Sequence, residues 1–208
     1  MYPGTRVAAA ILSLGLAAAP AAALTVDEAR HILLRTGFGA TPAEIAPLLS
    51  LNRQAAVDAL IASAAHASLL PRPQWYGTYQ APPRPNPKDT VASQAAQAAY
   101  DAMMHQRSLD IVTWWYRQMM STSSPLLERM VLFWHGHFTS SIQKVNVPDL
   151  MLRQNLLLRQ DALGNFRQLV HDIARDPAML LYLDGGGNVK GHPNENFARE
   201  LMELFTLG

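Results

Sequence analysis

The densest polar patterning in this chain lies at its end, in Asn194-Glu195-Asn196-Phe197-Ala198-Arg199-Glu200-Leu201-Met202-Glu203-Leu204-Phe205. At 100° per residue the string divides into two arcs of a helix. Phe197, Leu201, Leu204 and Phe205 fall on one side; Glu195, Asn196, Arg199, Glu200 and Glu203 fall on the other. Such a polar arc has two readings. It can be a solvated row of i,i+3 and i,i+4 pairs, each contributing about 0.2–0.5 kcal/mol. It can instead line a partly buried cleft. There Arg199 holds the carboxylates ionised, and Glu200 with Glu203 share a proton or ligate a divalent metal. On the second reading Glu200, Glu203 and Arg199 are the catalytic candidates, and Asn194, Glu195 and Asn196 are binding candidates.

The second constellation is Phe133-Trp134-His135-Gly136-His137-Phe138. Two histidines at i and i+2 of a helix project about 200° apart. They can chelate one ion only if Gly136 breaks the helix. On the wheel His137 lies beside Met130 and Phe133, an address in the core, while His135 lies at the edge with Glu128 and Thr139. Both enter as binding candidates, with His135 expected near the polar arc of the final helix; the alternative for both is packing. Ser140 and Ser141 sit in no Gly-x-Ser-x-Gly elbow and read as helix-ending residues. In the glycine-rich run from Asp184 to His192, Lys190 is followed by Gly191 and no strand precedes it, so it reads as a sharp turn rather than a phosphate loop.

These residues must be positioned by helices. Thr25-Val26-Asp27-Glu28 and Thr41-Pro42-Ala43-Glu44 are capping boxes, the second with proline at the first helical position. The first opens a helix through Arg35, which Gly37 is expected to end in the left-handed conformation. The second opens a short helix that Pro47 ends or kinks near Ala46. Asn52 caps a third, to about His66. Residues 71–88 hold six prolines together with Trp75, Tyr76 and Tyr79. That stretch reads as an extended surface loop pinned to the body by its aromatic residues, or as a plain linker. The longest helix runs from Asp89 or Thr90 to about Met120, and its apolar load makes it the expected central core helix. Further helices are expected from Ser124-Pro125 to Phe138, from Pro148 to about Gln160, from Asn165 to Arg175 and after Pro177. No alternating strand pattern and no internal repeat is present, so the expected class is all-α, an irregular multi-helix domain.

Composition bounds the rest. With 208 residues and 49% hydrophobic content, the chain can bury the core of one domain. Residues 1–23 read as a secretory signal: Arg6, an apolar run Val7–Ala19 that is short for a bilayer span, and Ala21-Ala22-Ala23 as the cleavage site. Losing Arg6 with that segment leaves sixteen basic against sixteen acidic residues. A neutral chain without a basic run argues against nucleic acid as a partner. The absence of cysteine excludes disulfides, thiolate metal sites and a cysteine nucleophile. The mature protein is expected in the periplasm or outside the cell, with no stable membrane span.

Several of these strings carry a family resemblance. They are His31-Ile32-Leu33-Leu34-Arg35-Thr36-Gly37-Phe38-Gly39-Ala40-Thr41-Pro42, Glu128-Arg129-Met130, the histidine motif, Leu163-Gly164-Asn165-Phe166, Ala174-Arg175-Asp176-Pro177-Ala178-Met179-Leu180, and the whole of Asn194–Gly208. Together they resemble the bacterial domain-of-unknown-function family numbered 1800. Gly136 departs from it, since many members look like Trp-His-Asn-His-Phe. The resemblance implies export. It also implies a longer protein, of which residues 24–208 would be the N-terminal part of one helical domain and the remainder of the chain a partner. It implies no reaction, and it adds weight to the final helix as a site. Two classes of function stay open: a metal-assisted or carboxylate-based hydrolase, its metal unspecified, and a non-catalytic binding or assembly protein of the envelope.

Overall fold

The computed structural model describes residues 22–78, 80–192 and 194–207; residues 1–21, and with them most of the expected signal segment, Tyr79, Pro193 and Gly208 lie outside them. Among the described residues the fold is all-α, with no sheet and one isolated bridge between Val189 and His192. None of these helices is long and apolar enough to cross a membrane.

Helix α1 (Val26–Thr36) and helix α2 (Pro42–Ile45) both start on complete capping boxes, at Thr25/Glu28 and Thr41/Glu44. As expected from Pro47, α2 ends at Ile45, and the chain continues in a 3₁₀ turn, Ala46–Ser50. Helix α3 (Arg53–Ala65) is capped by Asn52. These elements share a small core of Leu24, Ala29, Leu33, Ile45, Leu48 and Ala56. Gly37 ends α1 in an extended conformation, φ −142°, which corrects the expected left-handed stop. Glycine fits there for another reason. A Cβ would stand 3.1 Å from Cβ of Pro125 and 3.2 Å from the Leu33 carbonyl, too close for either to stay in place.

Helix α4 (Thr90–Ser121) is the longest element, but only its second half is a core helix. Its buried positions are Met104, Arg107, Ile111, Trp114 and Gln118, and residues 90–99 are almost wholly exposed. The expectation of a central helix therefore holds from Met104 onward. The alanine-rich first turns lack side chains large enough to bury.

Helix α5 (Pro125–His137) and helix α7 (Pro148–Asp161) pack on α4, joined by a short helix α6 (Ile142–Val145) that the sequence had not announced. Helix α8 (Phe166–Ile173) starts on an Asn165 cap and helix α9 (Pro177–Tyr182) on an Asp176 cap. The largest core joins Val131, Phe138, Leu158, Leu169, Ile173, Met179 and Phe205; another joins Ile111, Trp114, Met151, Leu152 and Ala178.

A buried polar knot ties these layers together. Glu128 on α5 is fully buried and accepts from Nη1 and Nη2 of Arg159 on α7, Nη2 at 3.0 Å from Oε2. Gln118 on α4 donates to Glu128 Oε1 at 3.1 Å and to the Ser68 carbonyl at 2.9 Å, and accepts the Leu70 amide at 2.8 Å. A buried carboxylate survives only when paired and hydrogen-bonded. The knot thus fixes the start of the proline-rich strap to the helices. Farther along, Trp75 Nε1 donates to Asp110 at 2.8 Å, the Gly77 amide to Asp149 at 2.7 Å, and Arg107 to the Thr78 carbonyl at 3.1 Å. The strap is pinned, as its aromatic residues suggested, and not a free linker.

Candidate functional site

The last helix, α10 (Glu195–Met202), continues into a π-helical turn, Glu203–Leu207. Three local features set its position. Asn194 caps it, accepting the amides of Asn196 at 3.0 Å and Phe197 at 3.3 Å, and ties the cap to the preceding turn through the Asp184 carbonyl at 3.1 Å. Gly185 lets the helix approach, since a Cβ there would meet Phe197 Cδ2 at 3.2 Å and the Leu180 carbonyl at 3.1 Å. Phe205 is buried in the largest core, with Phe197 and Leu201 packed against it. Asn194 is therefore occupied in capping.

Phe197, Leu201 and Phe205 of the apolar arc turn inward and the polar arc outward, while Leu204, expected on the apolar arc, is exposed in the π-helical turn. Glu195, Asn196, Arg199 and Glu203 are exposed and Glu200 is half-buried. Arg199 reaches Oδ1 of Asn196, and Asn196 Nδ2 donates to Glu200 Oε1 at 2.7 Å. Asn196 thus bridges the arginine and one glutamate. Among the described residues Arg199 makes no ion pair. The expected shielding of Arg199 among carboxylates is corrected by this geometry. Seating Phe197, Leu201 and Phe205 in the core turns the opposite arc to water.

The two histidines part company. Helix α5 continues through Gly136, so the rings diverge and do not converge on one ion. His137 is the one that reaches the last element: its Nε2 lies 2.8 Å from the Phe205 carbonyl in the π-helical turn. Its ring stacks with Phe133 at 6.2 Å and meets Phe138 edge-on at 4.8 Å. A π turn leaves backbone carbonyls without their usual helical partner. A proton on His137 Nε2 satisfies that of Phe205. His135, which the wheel had placed nearer the site, instead meets Trp115 of α4 edge-on at 4.9 Å. Burial there holds its imidazole below the usual histidine range. Among the described residues no three histidine, aspartate or glutamate side chains are grouped to hold a metal.

Sequence reasoning missed the Glu128–Arg159 pair. A signal existed: Ser124, Glu128 and Val131 fall at i, i+4 and i+7, and all three are buried. The partner on α7, 31 residues away, had no local signature.

No match was found among curated proteins or solved structures. Residues 31–208, from within α1 through the last helix, match the family described as Protein of unknown function (DUF1800), and the chain belongs to that family.

Proposed function

We propose that this protein is exported and works in the bacterial envelope as a non-catalytic binding or assembly protein, with the outward face of α10 as its recognition surface. The observation that carries the reading is the state of that face. Its side chains are ordered by the Arg199–Asn196–Glu200 bridge while its helix is anchored from behind by Phe205 and His137. An anchored helix with a pre-ordered polar face binds at a lower entropic cost than a loose one. Glu195, Glu200 and Glu203 outnumber the one guanidinium, so the complementary partner is a polypeptide surface bearing basic side chains.

Hydrolysis, the other reading of these residues, needs Glu200 and Glu203 to act on one centre. Glu200 is engaged with Asn196, and no hydrogen bond among the described residues joins it to Glu203 or to a histidine. The support thus lies with binding.

The test uses the full chain expressed with its leader. Intact mass should place Leu24 at the N-terminus of the exported protein; Met1 retained in a membrane fraction would overturn export. A photo-crosslinker at Met202 should capture one defined basic partner. Reversing Glu195, Glu200 and Glu203 to lysine should abolish that capture while leaving the thermal melt unchanged. Stoichiometric divalent metal together with a hydrolytic activity lost in Glu200→Gln would overturn the binding reading.

A further inference from the structure

Helix α4 is apolar on the side where a helix packed on a core should be polar. Its core side is Met104, Arg107, Ile111, Trp114 and Gln118. On the opposite side Leu109, Val112 and Tyr116 are 46%, 45% and 60% exposed, and half-buried Met119 is next in the row. Toward the start of the helix the same row runs through Ala102, Ala98 and Ala95 to Val91, all exposed. His105 stands between the two halves. From Val91 to Met119 the steps alternate between four and three residues, the spacing of a helix made to pair with another.

Single exposed apolar side chains are ordinary, but a contiguous row marks a contact surface. Two recesses border this one, the first between Leu109, Val112 and Ile142 of α6, the second between Tyr116, Met119, Phe38 and Leu132. Residues 90–102 are exposed apart from Ser93 and Tyr100, so this half of α4 is an arm without a core of its own. A helix of that length is marginal in water by itself even when rich in alanine.

We propose that the row is the interface of a homodimer, in which α4 of one copy runs antiparallel to α4 of the other. The occupant is a second copy because the row is complementary to itself. About a twofold axis passing between Met103 and Met104, each layer sets a large side chain on a small one. Leu109 meets the second copy's Ala98, Val112 its Ala95 and His105 its Ala102, while Tyr116 reaches its Val91. Facing positions that alternate large and small interdigitate without voids. Parallel pairing would set Tyr116 on Tyr116 and alanine on alanine, crowding one end and leaving the other empty. The core side of α4 lies opposite the row, so the two bodies stand on the outer sides of the helix pair. The positions flanking the row carry a single charge, Asp101, which accepts Gln97 Nε2 at 2.8 Å. Covering the exposed parts of Val91, Leu109, Val112, Tyr116 and Met120, with the alanines between, removes on the order of 700 Å² per copy. The total of about 1,400 Å² lies within the range of stable interfaces, about 1,200–2,000 Å². The contact is isologous and closes on two copies.

Sedimentation equilibrium of the full chain at about 50 μM should give twice the mass of one chain. Ala98→Arg and Val112→Glu should each weaken dimerisation at least about ten-fold. Ala98 belongs to the arm and touches no core, so near-UV circular dichroism of that variant should report an unchanged body. The chain has no cysteine, so disulfide trapping reads the register. Ala98→Cys combined with Leu109→Cys should oxidise to a covalent dimer. Each alone should not, since in this register each residue stands about 16 Å along the axis from its own copy. A monomer at about 50 μM overturns the proposal and leaves the row to the helix of a different protein. A dimer that survives both substitutions overturns it, and so does one that the single cysteine variants trap or the double variant fails to trap.

Discussion

Arg159→Ala strips the cation from a carboxylate that has no contact with water. Glu128 is 0% exposed and the Arg159 side chain only 10%. Arg159 supplies two of the hydrogen bonds on Glu128, plus one to Asn155 Oδ1 at 3.3 Å; afterwards Glu128 retains only Gln118. Two charge-assisted bonds at about 1.5–3 kcal/mol each set a loss of about 3–6 kcal/mol. Measured losses from breaking a buried pair on one side run about 3–5 kcal/mol. For a chain of this size that lowers Tm by about 6–20 °C, taking about 2–4 °C per kcal/mol. The assay is urea and thermal unfolding of residues 24–208, followed by far-UV circular dichroism. Replacing both partners, Glu128→Leu with Arg159→Met, should recover more than half of the loss, because no charge then stays buried and Gln118 keeps its bond to the Ser68 carbonyl. A loss below about 1 kcal/mol for Arg159→Ala would refute the reasoning, since that is the value of an exposed pair.

Two further outcomes follow from the same geometry. His135 has a folded-state pKa below the ordinary 6.5 because of burial, so the unfolded chain binds the proton more readily. Stability should be full above about pH 6.5 and decline as pH falls toward the folded-state pKa. His135→Phe, which keeps an aromatic edge against Trp115, should flatten that decline, and equal slopes for the two proteins would contradict the assignment. On α10, Arg199→Ala should cost well under about 1 kcal/mol in chemical denaturation, since its side chain is exposed and bonded only to Asn196. A loss of about 3 kcal/mol would restore the buried cleft.

The sequence by itself determined the elements that rest on local chemistry. Thr25/Glu28, Thr41/Glu44, Asn52 and Asn165 start helices where their short polar side chains reach free amides, and those contacts span only three residues or fewer. The two arcs of the final helix were legible for the same reason, since 3.6-residue periodicity is local. The family strings, Asn194–Gly208 above all, lay in plain view as well.

What depends on distant partners was decided only in three dimensions. Gly37 reads as a left-handed stop until Pro125 is seen against it. The wheel sets His137 toward the core and His135 at the edge, but it names no partner for either; α4 gives His135 to Trp115, and the last turn gives His137 to Phe205. The outward aim of Arg199 and Glu203 follows from the core that receives Phe205, and no periodicity reveals whether an amphipathic helix turns its polar arc to a cleft or to water. Glu128 and Arg159, 31 residues apart, become a buried pair only when α5 packs on α7. Burial and pairing are properties of neighbours in space, which no local periodicity encodes.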